Sequence, residues 1–300
     1  MTRRGWRAAW WPILLLLAGC AGHRATRPYY DGHHGWFHHH GFRDDYELPQ
    51  DERYRERSDS TPGGRPPAFI YTMPEPVPKV EPRSLYGNKS PYSVNGRTYY
   101  VRPTAAGYDE RGIASYYGDK FNGYKTSDFE TYDMYKFTAA SKVLPLPSYA
   151  RVTNLANGRS VIVRVNDRGP FHENRIIDLS YAAAVRIGIW PSGTGLVEVQ
   201  GIDPAAPARE LPPPPVVTPG SAPPGIYLQV GAFADPANAE RVAQRLRQAG
   251  LGPVRVIDAV IGGRRLQLVR LGPLPDVAAA DRLTTRIEQM GLPRPNVAVN

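Results

Sequence analysis

Val161-Ile162-Val163-Arg164-Val165-Asn166-Asp167-Arg168-Gly169-Pro170-Phe171, followed by Arg175-Ile176-Ile177-Asp178-Leu179-Ser180, is the stretch on which the fold turns. Val161, Ile162, Val163 and Val165 read as a strand. Asn-Asp-Arg-Gly-Pro is good turn chemistry and ends it. The turn presents one carboxylate, Asp167, beside the guanidinium of Arg168. A second acidic segment follows, with Asp178 eleven residues after Asp167.

Working outward, short apolar runs alternate with Gly, Asn and Pro turns from Ile113 to Ile202. Asn157-Gly158 separates Arg151–Leu155 from Ser160–Val165 and signals a hairpin. Upstream, Asn95-Gly96 does the same for a short strand pair between Tyr92 and Arg102. Ser180–Ile187 is the one helix in this region, with Leu179, Ala182, Ala183 and Val185 as its apolar surface. Asp178 is expected to cap it. About 95 residues of this pattern suit a compact six-stranded barrel.

Further strings accompany the opening stretch: Gly112-Ile113-Ala114-Ser115-Tyr116-Tyr117-Gly118, Phe137-Thr138-Ala139-Ala140, Leu144-Pro145-Leu146-Pro147 and Arg151-Val152-Thr153-Asn154-Leu155. Together they resemble the rare lipoprotein A family of septal-ring peptidoglycan glycosylases, over roughly residues 92–203. The resemblance implies a mainly β, double-psi β-barrel. It also implies a lytic transglycosylase, which cleaves between N-acetylmuramic acid and N-acetylglucosamine without water and leaves a 1,6-anhydro ring. One carboxylic acid can protonate the leaving oxygen and then deprotonate the attacking 6-hydroxyl, so no second carboxylate nucleophile is needed. Such an acid needs a raised pKa, from burial or a nearby carboxylate.

The family places its catalytic aspartate at Asp167 and its second carboxylate at Glu130, which would raise the pKa of Asp167 or orient substrate. By themselves, Asp167 reads as a turn residue paired with Arg168, and Glu130 as an exposed loop glutamate. Two departures stand out. Thr126-Ser127-Asp128-Phe129-Glu130 replaces a Thr-Ala-Asn-Gly-Glu pattern, so Phe129 occupies a glycine position where a φ > 0 turn would be strained. Ser141 replaces a histidine, and serine cannot change charge near neutral pH. His172, five residues after Asp167, is the other histidine of this region.

The C-terminal segment repeats itself. Gly231, Asp235, Gly250 and Leu251 recur 41 residues later as Gly272, Asp276, Gly291 and Leu292. Each copy reads strand, turn, helix, glycine stop. Asp235 and Asp276 cap the helices, Pro236 takes a first helical position, and Gly250 ends the first helix. Ala239, Val242, Ala243, Leu246 and Ala249 form one buried stripe, and Ala280, Leu283, Ile287 and Met290 the other. With Gly262-Gly263 as a hairpin between the halves, the order is βαββαβ, a small α+β sandwich. Gln229-Val230-Gly231-Ala232-Phe233 and Leu271-Gly272-Pro273 resemble the SPOR domain, whose family binds glycan strands stripped of stem peptides. Leu228 and Val230 should face the helices. Tyr227, Gln229, Phe233 and Arg270 are then the expected substrate-binding face. A solvated sheet face is the plain alternative.

Before residue 20 a basic start (Arg3, Arg4, Arg7) precedes an apolar run from Ala8 to Ala18, which has signal-peptide flanks and is short for a membrane span. Leu17-Ala18-Gly19-Cys20 resembles a bacterial lipobox, implying a signal over 1–19 and a lipidated Cys20. Ala21, a non-acidic residue after that cysteine, implies the periplasmic face of the outer membrane. Cys20 is the only cysteine in 300 residues, so no intramolecular disulfide can form. Residues 20–90 hold charge clusters and few aliphatics, and are expected to be a disordered tether. Its histidines, His33, His34, His38, His39 and His40, read as a biased linker rather than a metal site, because no Cys or Asp spacing completes one. The barrel should span 91–203. Pro-rich residues 204–224 should separate two independent modules by roughly 60 Å, and the SPOR-like domain fill 225–300.

The net charge of +9 suits any anionic partner, including wall polymer or a membrane surface. No nucleic-acid motif accompanies it, so nucleic acid is not an expected partner. Expected partners are glycan strands, denuded ones above all, and the outer membrane; the resemblance also admits division-machinery proteins. No cofactor is expected. Three functions fit this organisation: a transglycosylase concentrated at the division septum, an inactive wall-binding lipoprotein, and expansin-like loosening without bond cleavage.

Overall fold

The computed structural model describes residues 54, 56, 58–172, 174–206 and 224–299. The expected signal over 1–19, Cys20, the histidine tract and most of the proline-rich stretch lie outside the described residues. Among the described residues no helix is long and apolar enough to cross a membrane.

A two-stranded ribbon, β1 (Tyr92–Val94) and β2 (Arg97–Tyr99), turns through Asn95-Gly96, both at positive φ. The barrel follows. It comprises β3 (Asp109–Tyr117), β4 (Thr138–Ser141), β5 (Ser148–Asn154), β6 (Ser160–Asp167), β7 (Arg175–Ser180) and β8 (Thr194–Ile202). These close in the order β3-β7-β4-β6-β5-β8. The β3–β7 and β4–β6 pairs are parallel and the other pairs antiparallel. This is the six-stranded double-psi arrangement. Val161, Val163 and Val165 alternate into the core with Ala139, Ala150, Val152, Leu179, Val197 and Val199, as a period of two requires. Closure leaves no barrel edge unpaired. Helix α1 (Tyr181–Ile187) covers one flank, and its cap is Ser180, whose hydroxyl accepts from Ala183 N. Asp178 therefore does not cap it. The position directly before a helix can accept from its first free N–H groups, whereas Asp178 lies two residues earlier inside β7, and its carboxylate accepts from Ser115 Oγ.

The expected tether over 20–90 ends too late. From residue 58 onward the chain is a strap laid on the barrel. Asp59 accepts from Gly118 N at 2.8 Å and Lys120 N at 3.1 Å. Trp190 Nε1 donates to Thr61 Oγ1. Ala68–Tyr71 form a 3₁₀ turn that buries Ile70 in the barrel's core cluster. Arg186 Nε donates to the Ile70 carbonyl, and Ile162 N donates to Glu75 at 2.9 Å. Prolines hold the intervening backbone extended without needing N–H partners. Anchors spaced along the strap thus order a segment too poor in aliphatics to form a core of its own.

The C-terminal domain is the expected βαββαβ: β9 (Ile226–Phe233), α2 (Pro236–Gln248), β10 (Val254–Ile261), β11 (Arg264–Leu274), α3 (Val277–Gln289) and β12 (Asn296–Val299). The sheet runs β10-β11-β9-β12, all antiparallel. Asp235 and Asp276 cap the helices. Ala239, Ala243, Leu246, Ala280 and Ile287 are buried against Leu228, Val230, Val269 and Leu271. Ala249 is exposed at the end of α2, and Thr284 is buried where no polar residue was expected.

The two domains touch, contrary to the expectation of separate modules. Both lie within one compact unit, Asp44–Asn300. Ile113 of β3 joins the C-terminal core cluster. Asn174 Nδ2 donates to Asp281 Oδ1 at 2.8 Å and to Thr284 Oγ1 at 3.1 Å. These bonds give the buried Thr284 the polar partner that burial demands.

If Ile70 is the strap's apolar anchor, Ile70→Ala should destabilise the protein by about 2–5 kcal/mol. Urea denaturation measures this, and a change below about 0.5 kcal/mol would mean the strap lies loosely on the barrel.

Candidate functional site

Asp167 ends β6. Its Oδ1 accepts three hydrogen bonds: from Ser127 N at 2.8 Å, Ser127 Oγ at 2.6 Å and Arg168 N at 2.7 Å. No donor among the described residues engages Oδ2. Burial pushes the Asp167 carboxyl above its ordinary range, and the three hydrogen bonds pull partly against that. The expectation that Glu130 would raise it does not describe the leading cause, which is desolvation.

The loop that carries Ser127 also carries Glu130. Thr126 N donates to the Glu130 carbonyl and Phe129 N to the Thr126 carbonyl, both at 2.9 Å. Buried Asp128 stiffens the turn from inside, accepting from Thr126 Oγ1 at 2.7 Å and Glu130 N at 3.2 Å. One end of this turn therefore holds Asp167 while the other presents Glu130.

Glu130 Oε2 accepts from Arg164 Nη1 at 2.5 Å and Asn166 Nδ2 at 3.0 Å. Arg164 is in turn gripped by Glu81 of the strap, with Nε–Oε1 and Nη2–Oε2 both at 3.0 Å. This fork-on-fork geometry fixes the guanidinium plane. Tyr149 Oη donates to the same Glu81. The hydrogen bond from Arg164 holds the Glu81 carboxyl below its usual range. Glu81, Arg164, Glu130, Asn166 and Tyr149 line a cleft of about 690 Å³, walled on one side by the strap residues Met73 to Lys79. Strap and barrel build this cleft together. Sequence reading missed Ser127, Glu81 and Arg164 as site residues. The apolar-polar alternation of β6, which turns Arg164 outward, was the available signal for the last.

On the C-terminal sheet, Tyr227 and Gln229 alternate with the buried Ile226, Leu228 and Val230. Arg270 Nε donates to Gln229 Oε1 at 3.2 Å, joining neighbouring strands on the open face. Phe233 is not with them. A register shift opposite Val269/Arg270 places Gly231 across from core-facing Val269 and turns Phe233 toward the helix-covered cluster. Its ring lies over Gly231, where a Cβ would meet it at 2.6 Å. A bulge inverts the alternation beyond it.

Residues 109–200 match the lytic transglycolase family and residues 222–297 the SPOR domain. A Pseudomonas aeruginosa protein named endolytic peptidoglycan transglycosylase RlpA is 38% identical over 278 residues, covering 76% of this chain and 81% of its own. The chain belongs to the RlpA family. A Vibrio cholerae protein of the same name is 47% identical over 163 residues, 51% of this chain and 62% of its own. The crystal structure of an RlpA SPOR domain from Pseudomonas aeruginosa aligns with 25% of this chain and 97% of its own, at 35% identity and TM-score 0.24.

Against the RlpA pattern, both departures have structural readings. Phe129 does adopt positive φ, +68°, so the turn keeps its glycine conformation while carrying a ring. That conformation costs a bulky residue about 1–3 kcal/mol. Ser141 is buried in β4, and its hydroxyl accepts from Val143 N and Leu144 N. It organises the following turn and has no titrating role. His172 is exposed.

Between the ordinary value of 3.8 and its raised value, folded Asp167 holds a proton that the unfolded chain releases. Stability therefore falls as pH rises through that window. Asp167→Asn keeps an acceptor for the three donors and removes the buried charge. The variant should be more stable than wild type at neutral pH, with the gap closing below about pH 4. Melting temperatures across pH 3–8 test this, and a variant less stable throughout would mean the carboxylate is favourably held.

Proposed function

We propose that this protein is an endolytic lytic transglycosylase of peptidoglycan glycan strands, with Asp167 as its single acid/base. The arrangement of Asp167 carries this reading: three donors hold one oxygen, the other oxygen is left for substrate, and burial keeps the proton on longer. That suits a group that must first give a proton and then take one. Protonated Oδ2 donates to the glycosidic oxygen between muramic acid and glucosamine. The bond from that oxygen to the anomeric carbon breaks, and the oxygen leaves as a hydroxyl. The muramic acid 6-hydroxyl bonds to the anomeric carbon, its proton passes to the Asp167 carboxylate, and a 1,6-anhydro ring closes. No water is consumed, and the acid returns to its starting state.

Glu130, fixed by Arg164 and Asn166, has a different task. It is 43% exposed and ion-paired, which suits hydrogen bonding to sugar hydroxyls better than proton transfer. Tyr227, Gln229 and Arg270 form the face by which the C-terminal domain holds strands lacking stem peptides; Phe233 supports that sheet from the other side. Lipidated Cys20 anchors the protein to the periplasmic face of the outer membrane, and affinity for denuded strands concentrates it at the division septum.

Incubation with glycan strands lacking stem peptides, followed by mass spectrometry, tests the activity. Products with anhydro-muramic ends are expected, and Asp167→Asn should slow their formation about 10²–10⁴-fold. Reducing-end products would instead indicate hydrolysis. Binding without products would leave a wall-tethering protein. Glu81→Ala should also slow cleavage and lower stability by about 1.5–3 kcal/mol, since it strips Arg164 of two charged hydrogen bonds. Normal activity and stability in that variant would remove the strap from the site.

A further inference from the structure

We propose that Phe129 and Tyr86 form a stacking platform for one pyranose ring of the glycan strand, at the rim of the Asp167–Glu130 centre. This rests on the glycan-cleaving function proposed above and names a binding subsite for it, one that uses Phe129, which stands at the glycine position of the family pattern.

Three observations carry it. First, the two rings pack on each other with centroids 4.2 Å apart, yet Phe129 is 46% and Tyr86 52% exposed. The pair stands one residue from Glu130, which lines the cleft, and keeps part of its surface open to a ligand. Second, Phe129 holds the left-handed backbone at φ +68°. Strain of this kind persists where function retains it, and the ring gains no full burial in return. Third, both rings are held by the catalytic architecture. Phe129 lies between Ser127, which grips Asp167, and Glu130 on a turn of five residues. Tyr86 precedes Gly87, whose carbonyl accepts from Arg168 Nε at 2.6 Å, and its own N–H donates to Ser84 Oγ.

The occupant follows from chemistry and place. A pyranose presents a face of axial C–H groups, which an electron-rich aromatic face attracts while the ring hydroxyls remain free for polar partners. Glu130 and Asn166 supply such partners next to the platform. A saccharide resting on the rings would thus run toward Asp167, and stacking would set which sugar reaches the acid.

The test uses the full chain in detergent, carrying Tyr227→Ala and Arg270→Ala so that the C-terminal face contributes little. A defined glycan oligosaccharide without stem peptides is titrated calorimetrically, alongside melting and cleavage assays. Phe129→Gly should lose about tenfold in affinity, with a matching rise in KM. Its melting temperature should hold or rise, because glycine relieves the strain. Tyr86→Ala should weaken binding similarly, and Phe129→Trp should restore it. The proposal is overturned if Phe129→Gly lowers the melting temperature and leaves affinity unchanged, which would make the pair a clamp for the strap. Weakened binding by Phe129→Gly in a protein that never forms anhydro products would uphold the platform and overturn the cleavage function.

Discussion

Four oxygens from two stretches of chain, 87–88 and 141–144, converge on the guanidinium of Arg168. Its Nε donates to Gly87 O, its Nη1 to Ser141 O and Leu144 O, and its Nη2 to Asn88 Oδ1. The rigid fork of arginine can satisfy such an array, and lysine could not. Burial lowers its pKa to about 10, so it remains charged at neutral pH. The contacts close a circuit. Arg168 fixes Gly87; Gly87 packs so closely under Ser127 that a Cβ would meet Ser127 O at 2.8 Å; Ser127 holds Asp167; and Asp167 accepts from the Arg168 N–H. The position of Asp167 thus depends on a residue whose side chain never touches its carboxylate.

A second arginine governs the other carboxylate. Arg164 links Glu81 to Glu130, so the strap reaches the centre twice, once through each guanidinium. The two carboxylates experience opposite environments. Desolvation dominates at Asp167, whereas Glu130 is exposed and paired. The difference arises at the end of a single strand, where Arg164 and Asn166 face the cleft and Asp167 is drawn back toward Ser127.

Legibility in the sequence followed the distance over which each interaction acts. The hairpins at Asn157-Gly158 and Gly262-Gly263, the valine alternation of β6 and the repeated capped helices are local signals, and they read directly. The strap did not, since Glu81 meets Arg164 across 83 residues and nothing in its prolines and charges is periodic. Asp178 looked like a cap because it stands near a helix, but a cap is decided by the position directly before the first turn, which Ser180 holds. Phe233 was assigned to the open face by strict alternation, and a bulge invisible in the residues turned it over. Asp167 and Glu130 were named from motif alone. That Ser127, at the start of the Glu130 turn, would hold Asp167, and that burial would be what raises its carboxyl, required the folded loop.

The strap also determines how force would travel. A pull on the chain upstream of Asp59 does not load a single peptide junction at the barrel's first strand. It runs along the barrel wall and meets the contacts of Asp59, Ile70, Glu75, Glu81 and Arg168 in turn, each yielding before the next bears the load. The last contacts to feel that load are those that orient Glu130 and Asp167. Detachment would therefore begin at the end far from Asp167, and both carboxylates would be shielded from tension until most of the strap had peeled away.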